Sequence, residues 1–201
     1  SWSGAANAAD GTLPVLPDIL SFSSTGVASV STVFYKAEPI AAGGLVLTDS
    51  QPTAKSGFSD QMMTIIPAAL DHYDVVATPS SGLKADSTTR FSVSISAYDD
   101  YNNLRNGQTG LSLVPQPQDS HSVGDLKGAV VTGLNIAAGE LTINDLWYNA
   151  GGAIKVVLGG TGVSTENSTT LNFTPTINTV ASYRVVPRDS SVIAGSNNTI
   201  I

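Results

Sequence analysis

Arg90–Asp100 reads RFSVSISAYDD. Phe91, Val93, Ile95 and Ala97 alternate there with Ser92, Ser94 and Ser96. A period of two sustained over that length marks a β-strand with one face in a core and the other toward water. Further strands follow on both sides. GLSLVP offers Leu111 and Leu113, GELTIND offers Leu141 and Ile143, AIKVVLGG offers Ile154, Val156 and Leu158, and TTLNFTP offers Leu171 and Phe173. Turn-forming runs separate them: TPSSG, YNNLRNGQTG, PQPQDSHSVGD, YNAGG and GGTG. The stretch that looks most like a helix, PAALDHY, is short and begins at a proline. Short alternating strands about 8–12 residues apart predict an all-β antiparallel sandwich.

The chain also repeats itself. DLWYNAGGAIKVVLGG, from Asp145, has a near copy in TVFYKAEPIAAGGLVL, from Thr32, with Trp147 on Phe34, Tyr148 on Tyr35 and Ala150 on Ala37 at an offset of 113. NFTPTINTVASYRVVPRDSS, from Asn172, answers TIIPAALDHYDVVATPSS, from Thr64, with Tyr183 on Tyr73 and Ser190-Ser191 on Ser80-Ser81 at an offset of 110. Such a period fits one immunoglobulin-like sandwich of roughly 100 residues.

RFSVSISAYDDYNNLRNGQTGLSL and GELTINDLWYNAGGAIKVVLGGTGVST resemble bacterial immunoglobulin-like repeats of the invasin and adhesin type. Those repeats carry an alternating strand, then Asp-x-x-Gly-Asn, then Gly-x-Thr. Asn102 stands here where the family often has Gly. The resemblance covers one full unit and parts of two more. It implies tandem immunoglobulin-like sandwiches and a stalk-like or filament-like role outside the cell, at its surface.

The offset predicts the frame. Ser1 corresponds to Val114, so residues 1–70 are expected to be the C-terminal part of a sandwich. Residues 71–177 are expected to form a complete one, and 178–201 the first strands of the next. Ser1 is not an initiator Met, which predicts a removed signal peptide or a cut piece. An incomplete sandwich exposes unpaired strand edges and half a core. Self-closure is not expected, because a unit is about 35–40 Å long and TPTINT spans only about 20 Å. A neighbour supplies the missing strands instead. Tyr183, Val185, Val186, Val192, Ile193, Ile200 and Ile201 are the predicted donor residues. Val27, Val30, Phe34, Tyr35, Leu45, Leu47, Met62 and Ile65 are the predicted acceptor residues. The partner is a copy of the chain joined head to tail, or an adjacent repeat of a longer polypeptide. A native mass near 20.6 kDa selects the first. The expected function is a structural subunit of an extracellular filament, sheath or surface stalk assembled by β-strand complementation. The alternative is a ligand- or carbohydrate-binding segment of a larger bacterial surface adhesin.

Composition narrows the remaining chemistry. With 9 Lys+Arg against 16 Asp+Glu the net charge is -7, which disfavours nucleic acid. No run of about 20 apolar residues predicts a membrane span. There is no cysteine, and His72 and His121 are the two histidines, with no zinc spacing. No Gly-x-Ser-x-Gly occurs, and no glycine-rich loop opens a helix, so no catalysis and no organic cofactor are expected. Asp99-Asp100 reads first as a solvated turn; with Asn102 it is also a candidate calcium site of hard oxygen ligands. Asn167, Asn172 and Asn197 head glycosylation triplets. Trp147 and Tyr148 are expected to pack, one beneath a turn and one on an edge, rather than to form a sugar-stacking platform.

Overall fold

A computed structural model describes residues 1–118, 124–160 and 168–174. Every regular element among them is a β-strand. Five short strands come first: β1 (Trp2–Ser3), β2 (Pro39–Ile40), β3 (Val46–Thr48), β4 (Ser56–Phe58) and β5 (Met63–Thr64). Nine follow: β6 (Leu70–Thr78), β7 (Leu83–Lys84), β8 (Phe91–Asp99), β9 (Gln108–Pro117), β10 (Leu126–Lys127), β11 (Thr132–Ile136), β12 (Glu140–Tyr148), β13 (Gly152–Gly159) and β14 (Ser168–Thr174). The helix-like Pro67–Tyr73 stretch instead runs into β6.

β6 to β14 build a two-layer sandwich. One sheet has the order β10-β12-β8-β6 and the other β11-β9-β13-β14-β7. All pairings in them are antiparallel except β7 with β14. Successive strands alternate between the sheets until the β13–β14 hairpin. This is the four-on-three arrangement of an immunoglobulin-like domain, with β7 and β11 added as edges. The leading strand is divided: β6 pairs with β8, and its continuation β7 crosses to pair with β14.

The predicted inward faces are the observed ones. Phe91, Val93, Ile95 and Ala97 are buried on β8, Leu111 and Leu113 on β9, Ile154, Val156 and Leu158 on β13, and Leu171 and Phe173 on β14. On β12 the alternation breaks. Ile143 is buried, yet so are Leu146 and Tyr148, an even spacing from each other but not from Ile143. The register against β8 shifts between Ile143 and Leu146, and Asp145 adopts a φ of 62°. A β-bulge there inserts one extra residue and reverses which face the rest of the strand presents. Trp147 therefore turns outward, and Tyr148 packs against Phe173 at 4.9 Å between ring centroids.

The first five strands reproduce only one layer. Adding 113 to Trp2 and 110 to Leu47 gives 115 and 157. Trp2 pairs with Leu47, and Pro115 pairs with Val156. Pro39 pairs with Thr64 where Gly152 pairs with Phe173, and Val46 pairs with Phe58 where Val156 pairs with Thr169. Each pair is one residue out of register with its counterpart, and a one-residue slip exchanges the two faces of a strand, so the likeness is one of strand order and not of register. The change of offset falls in the turn Ala41–Gly44, where Gly43 takes a φ of 78° and Gly44 N–H donates to the Ala41 carbonyl at 2.8 Å. That left-handed position suits glycine, and the turn divides into β2 and β3 what is one strand in β13. The counterpart of β12, residues 27–35, forms no strand; within it Val33 makes a single bridge to Val15. β12 is held by β8, and residues 27–35 have no counterpart of β8 beside them.

Ile95, fully buried at the centre of β8, is the sensitive position. Ile95→Ala is expected to destabilise the sandwich by about 2–5 kcal/mol through lost contacts and a residual cavity. Val76→Ala, on the exposed face of β6, is expected to change stability by no more than about 0.5 kcal/mol. Urea unfolding followed by the sandwich's aromatic signal measures both.

Candidate functional site: an uncovered sheet and its anchor

Among the described residues, ten of the fourteen exposed large hydrophobic ones lie in residues 1–70, while only Ala8 and Ile40 are buried apolar residues there. Leu13, Ile19, Phe22, Val27, Phe58 and Ile66 are all more than half exposed. A soluble domain rarely shows so much contiguous apolar surface without a use for it. The cause is local. Two small sheets have formed, β1-β3-β4 and β2-β5, and among the described residues no further sheet lies across them.

The predicted acceptor residues divide accordingly. Val27, Val30 and Met62 are exposed, and Phe34, Tyr35, Leu45, Leu47 and Ile65 are half-buried. Leu47 lies on β3, whose two edges are taken by β1 and β4. It therefore contributes apolar surface and no free edge. Among the described residues β1, β4, β2 and β5 each have one edge without a partner. On β5, Met63 stands opposite buried Ile40 and shares its face. Met62 points to the opposite side, so Met63 is the residue of this pair that the sequence reading should have selected. The donor residues Tyr183, Val185, Val186, Val192, Ile193, Ile200 and Ile201 lie outside the described residues, as do His121, Asn167 and Asn197.

A buried polar cluster ties this segment to the complete sandwich. Asp99, at the end of β8, is fully buried, so the expectation of a solvated turn is corrected for this residue. Its Oδ1 accepts N–H bonds from Tyr101 and Asn103, both at 2.9 Å, and its Oδ2 accepts one from Ala68 at 2.8 Å. Asn103 Nδ2 also donates to the carboxylate, at 2.9 Å to Oδ2. Asn103 then reaches across the joint. Its Nδ2 donates to the Tyr35 carbonyl at 2.7 Å, and its Oδ1 accepts from Ala37 N–H at 2.8 Å. The ring of Tyr35 packs on Tyr101 at 4.7 Å. Asn102, between them, has a φ of 58°. Asn tolerates that conformation nearly as Gly does, so the turn forms at Asn102 without a glycine. Asn103 was not singled out from sequence. Its clue is that it follows a position requiring positive φ directly after an Asp-initiated turn.

The three calcium candidates are engaged separately. Asp99 is committed to amide donors, Asp100 is exposed and hydrogen-bonded to Asp71, and Asn102 is exposed. Among the described residues no group of three or more His, Cys, Asp or Glu is placed to hold a metal ion. His72 Nδ1 lies 2.8 Å from Asp71 Oδ2, and the imidazole stacks on Tyr98 at 5.3 Å. His72, then Asp100, hold the Asp71 carboxyl below the ordinary range, while the bond to Asp71 pushes Asp100 up.

Trp147 and Tyr148 face opposite sides of β12. Tyr148 is buried, its hydroxyl accepting the Gly124 N–H at 2.6 Å. Trp147 is half-buried beneath Arg90, whose guanidinium lies 5.9 Å from the ring and donates to the Asp145 carbonyl at 3.0 Å. They pack as expected and share no platform. Asn172 is exposed on β14.

The fold and this site define an immunoglobulin-like β-sandwich flanked by two small sheets that no other described strand covers. A structure of invasin, a bacterial integrin-binding protein, is similar with a TM-score of 0.41 and 16% identity over 77% of this chain. The match spans 28% of that protein. No family model matches the chain, and no curated protein does.

Burial alone would raise the Asp99 pKa. Hydrogen bonds from Asn103, Ala68 and Tyr101 outweigh it and hold the group below the ordinary carboxylate value. A depressed carboxylate contributes stability that is fully present above its unfolded pKa of about 3.9 and is lost as pH falls through the folded value. Thermal stability is therefore expected to fall below about pH 4. Asp99→Asn is expected to cost about 2–3 kcal/mol at pH 7, because an amide nitrogen then faces N–H donors. The Asp99→Asn protein should also lose part of the acid dependence, measured by melting curves from pH 3 to 7 against a substitution at an exposed carboxylate away from the cluster, Asp60→Asn, as control.

Proposed function

We propose that the protein is a structural subunit of an extracellular filament, sheath or surface stalk, built of immunoglobulin-like units joined head to tail. The observation that carries this is the pair of small sheets β1-β3-β4 and β2-β5, which follow the strand order of the β9–β13–β14 layer and carry exposed apolar residues that nothing among the described residues covers. In the complete unit the covering layer is led by β6 and β8. Residues 183–201 repeat Tyr73–Phe91 without a gap, Tyr183 on Tyr73, Val185 on Val75 and Ile201 on Phe91. The chain thus carries at one end two small sheets uncovered among the described residues and at the other a sequence of the kind that covers such sheets.

Energetics favour the exchange. Each large apolar side chain withdrawn from water contributes roughly 1.5–3 kcal/mol, and the backbone edge of β5 gains hydrogen-bond partners. Because the two surfaces differ and lie at opposite ends, the contact is heterologous. A heterologous contact that does not close into a ring propagates as a fibre. The Asp99–Asn103 cluster makes the joint rigid, so that a row of units would keep a defined direction.

Light scattering and electron microscopy test this reading on the full chain and on a variant ending at residue 177. Concentration-dependent head-to-tail oligomers from the full chain, absent from the shortened variant, are the expected result. A full chain that stays monomeric at high concentration, with β3 and β5 amides as protected from hydrogen exchange as those of β8, would overturn it.

A further inference from the structure

We infer that Asn106 is a site of spontaneous deamidation whose reactivity is held down by the β9–β11 pairing. Asn106-Gly107 is the one Asn-Gly pair in the chain, and it lies in the turn between β8 and β9. The turn itself calls for that glycine. Gly107 adopts a φ of 79°, a left-handed conformation that a side chain disfavours, whereas an added Cβ would meet nothing within 4 Å. Backbone conformation, not crowding, therefore keeps a glycine after Asn106. The same absence of a side chain leaves the Gly107 nitrogen open to approach, and the Asn106 side chain beside it is exposed.

The reaction needs nothing beyond water. The Gly107 amide nitrogen gives up its proton and attacks Cγ of Asn106. The bond from Cγ to Nδ2 breaks, and the displaced nitrogen takes up a proton and leaves as ammonia. Water then opens the five-membered succinimide at either carbonyl, giving aspartate or isoaspartate. The folded chain opposes the first step. Gly107 N–H donates to the Ile136 carbonyl at 2.9 Å, beside the Ile136–Gln108 pairing that ends the β9–β11 ladder. Ile136 is fully buried, so the core anchors the acceptor. The bond holds the proton that must leave and fixes the plane of the peptide that must turn toward Cγ. Reaction therefore waits on local opening at the end of β11. Isoaspartate, once formed, lengthens the main chain between Arg105 and Gly107 and displaces the Gly107 N–H from Ile136. Either product places a negative charge next to Arg105.

The full chain is aged at neutral pH, folded in one sample and unfolded in guanidinium chloride in another. Trypsin cuts after Arg105, and mass spectrometry of the peptide beginning at Asn106 reads the exchange of amide for carboxyl. Asn106 is expected to react before every other asparagine in the unfolded chain. In the folded chain it should react about tenfold or more slowly, with hydrogen exchange at the Gly107 amide slowed to a similar degree. Asn106→Gln, on an exposed side chain, should keep the fold and abolish the signal. Equal rates in the two states overturn the gate. So does a Gly107 amide that exchanges freely while folded Asn106 stays unreacted, because the bond to Ile136 is then not the cause. A different asparagine reacting first in the unfolded chain, or a signal that survives Asn106→Gln, overturns the site.

Discussion

A β-sheet with one apolar face holds its shape only when that face is covered, and β8 is the strand through which this protein meets the requirement. β8 lies between β6 and β12 and buries every second side chain from Phe91 to Asp99. Remove it in thought and β6 and β12 lose their partner, and β10 goes with β12. The layer of β9, β11, β13 and β14 would then face water. Residues 1–70 display that situation. Their hairpin and the β1 pairing survive, because antiparallel neighbours need only each other. The segment matching β12 does not become a strand, because its backbone has no ladder to join.

The joint between the two parts solves a different problem. Buried backbone amides at Tyr101, Asn103 and Ala68 require acceptors, and one carboxylate supplies them. Asn103, held by that carboxylate, uses its remaining capacity on the backbone of Tyr35 and Ala37. One turn of the sandwich thereby fixes the segment that precedes it. The two bonds tie Tyr35 and Ala37 to the end of β8.

Much of the architecture was legible from residues alone. Alternation in RFSVSISAYDD, GLSLVP, AIKVVLGG and TTLNFTP predicts faces that burial reproduces, because a period of two has only two phases and the apolar one must go inside. The internal repeat was legible as well, and it reappears in strand order, one residue out of register. The candidate acceptor set was legible only in part. Composition identified an apolar segment, but the choice between Met62 and Met63 depends on which of them opposes Ile40, and that is a matter of pairing.

The sequence by itself determined the strands, their inward phases and the repeat, since all three follow from local alternation and from comparison of the chain with itself. Tertiary structure alone decided three things. The bulge at Asp145 reversed the phase of β12 and exchanged the roles of Trp147 and Tyr148. Asp99 went inside although its neighbour Asp100 stayed out, because the distant Ala68 amide joined the local amides of Tyr101 and Asn103 in bonding it. Residues 27–35 remained without a ladder despite their likeness to β12. In each case the outcome turned on a partner far along the chain or on one not found among the described residues, and local pattern carries no record of a partner's presence.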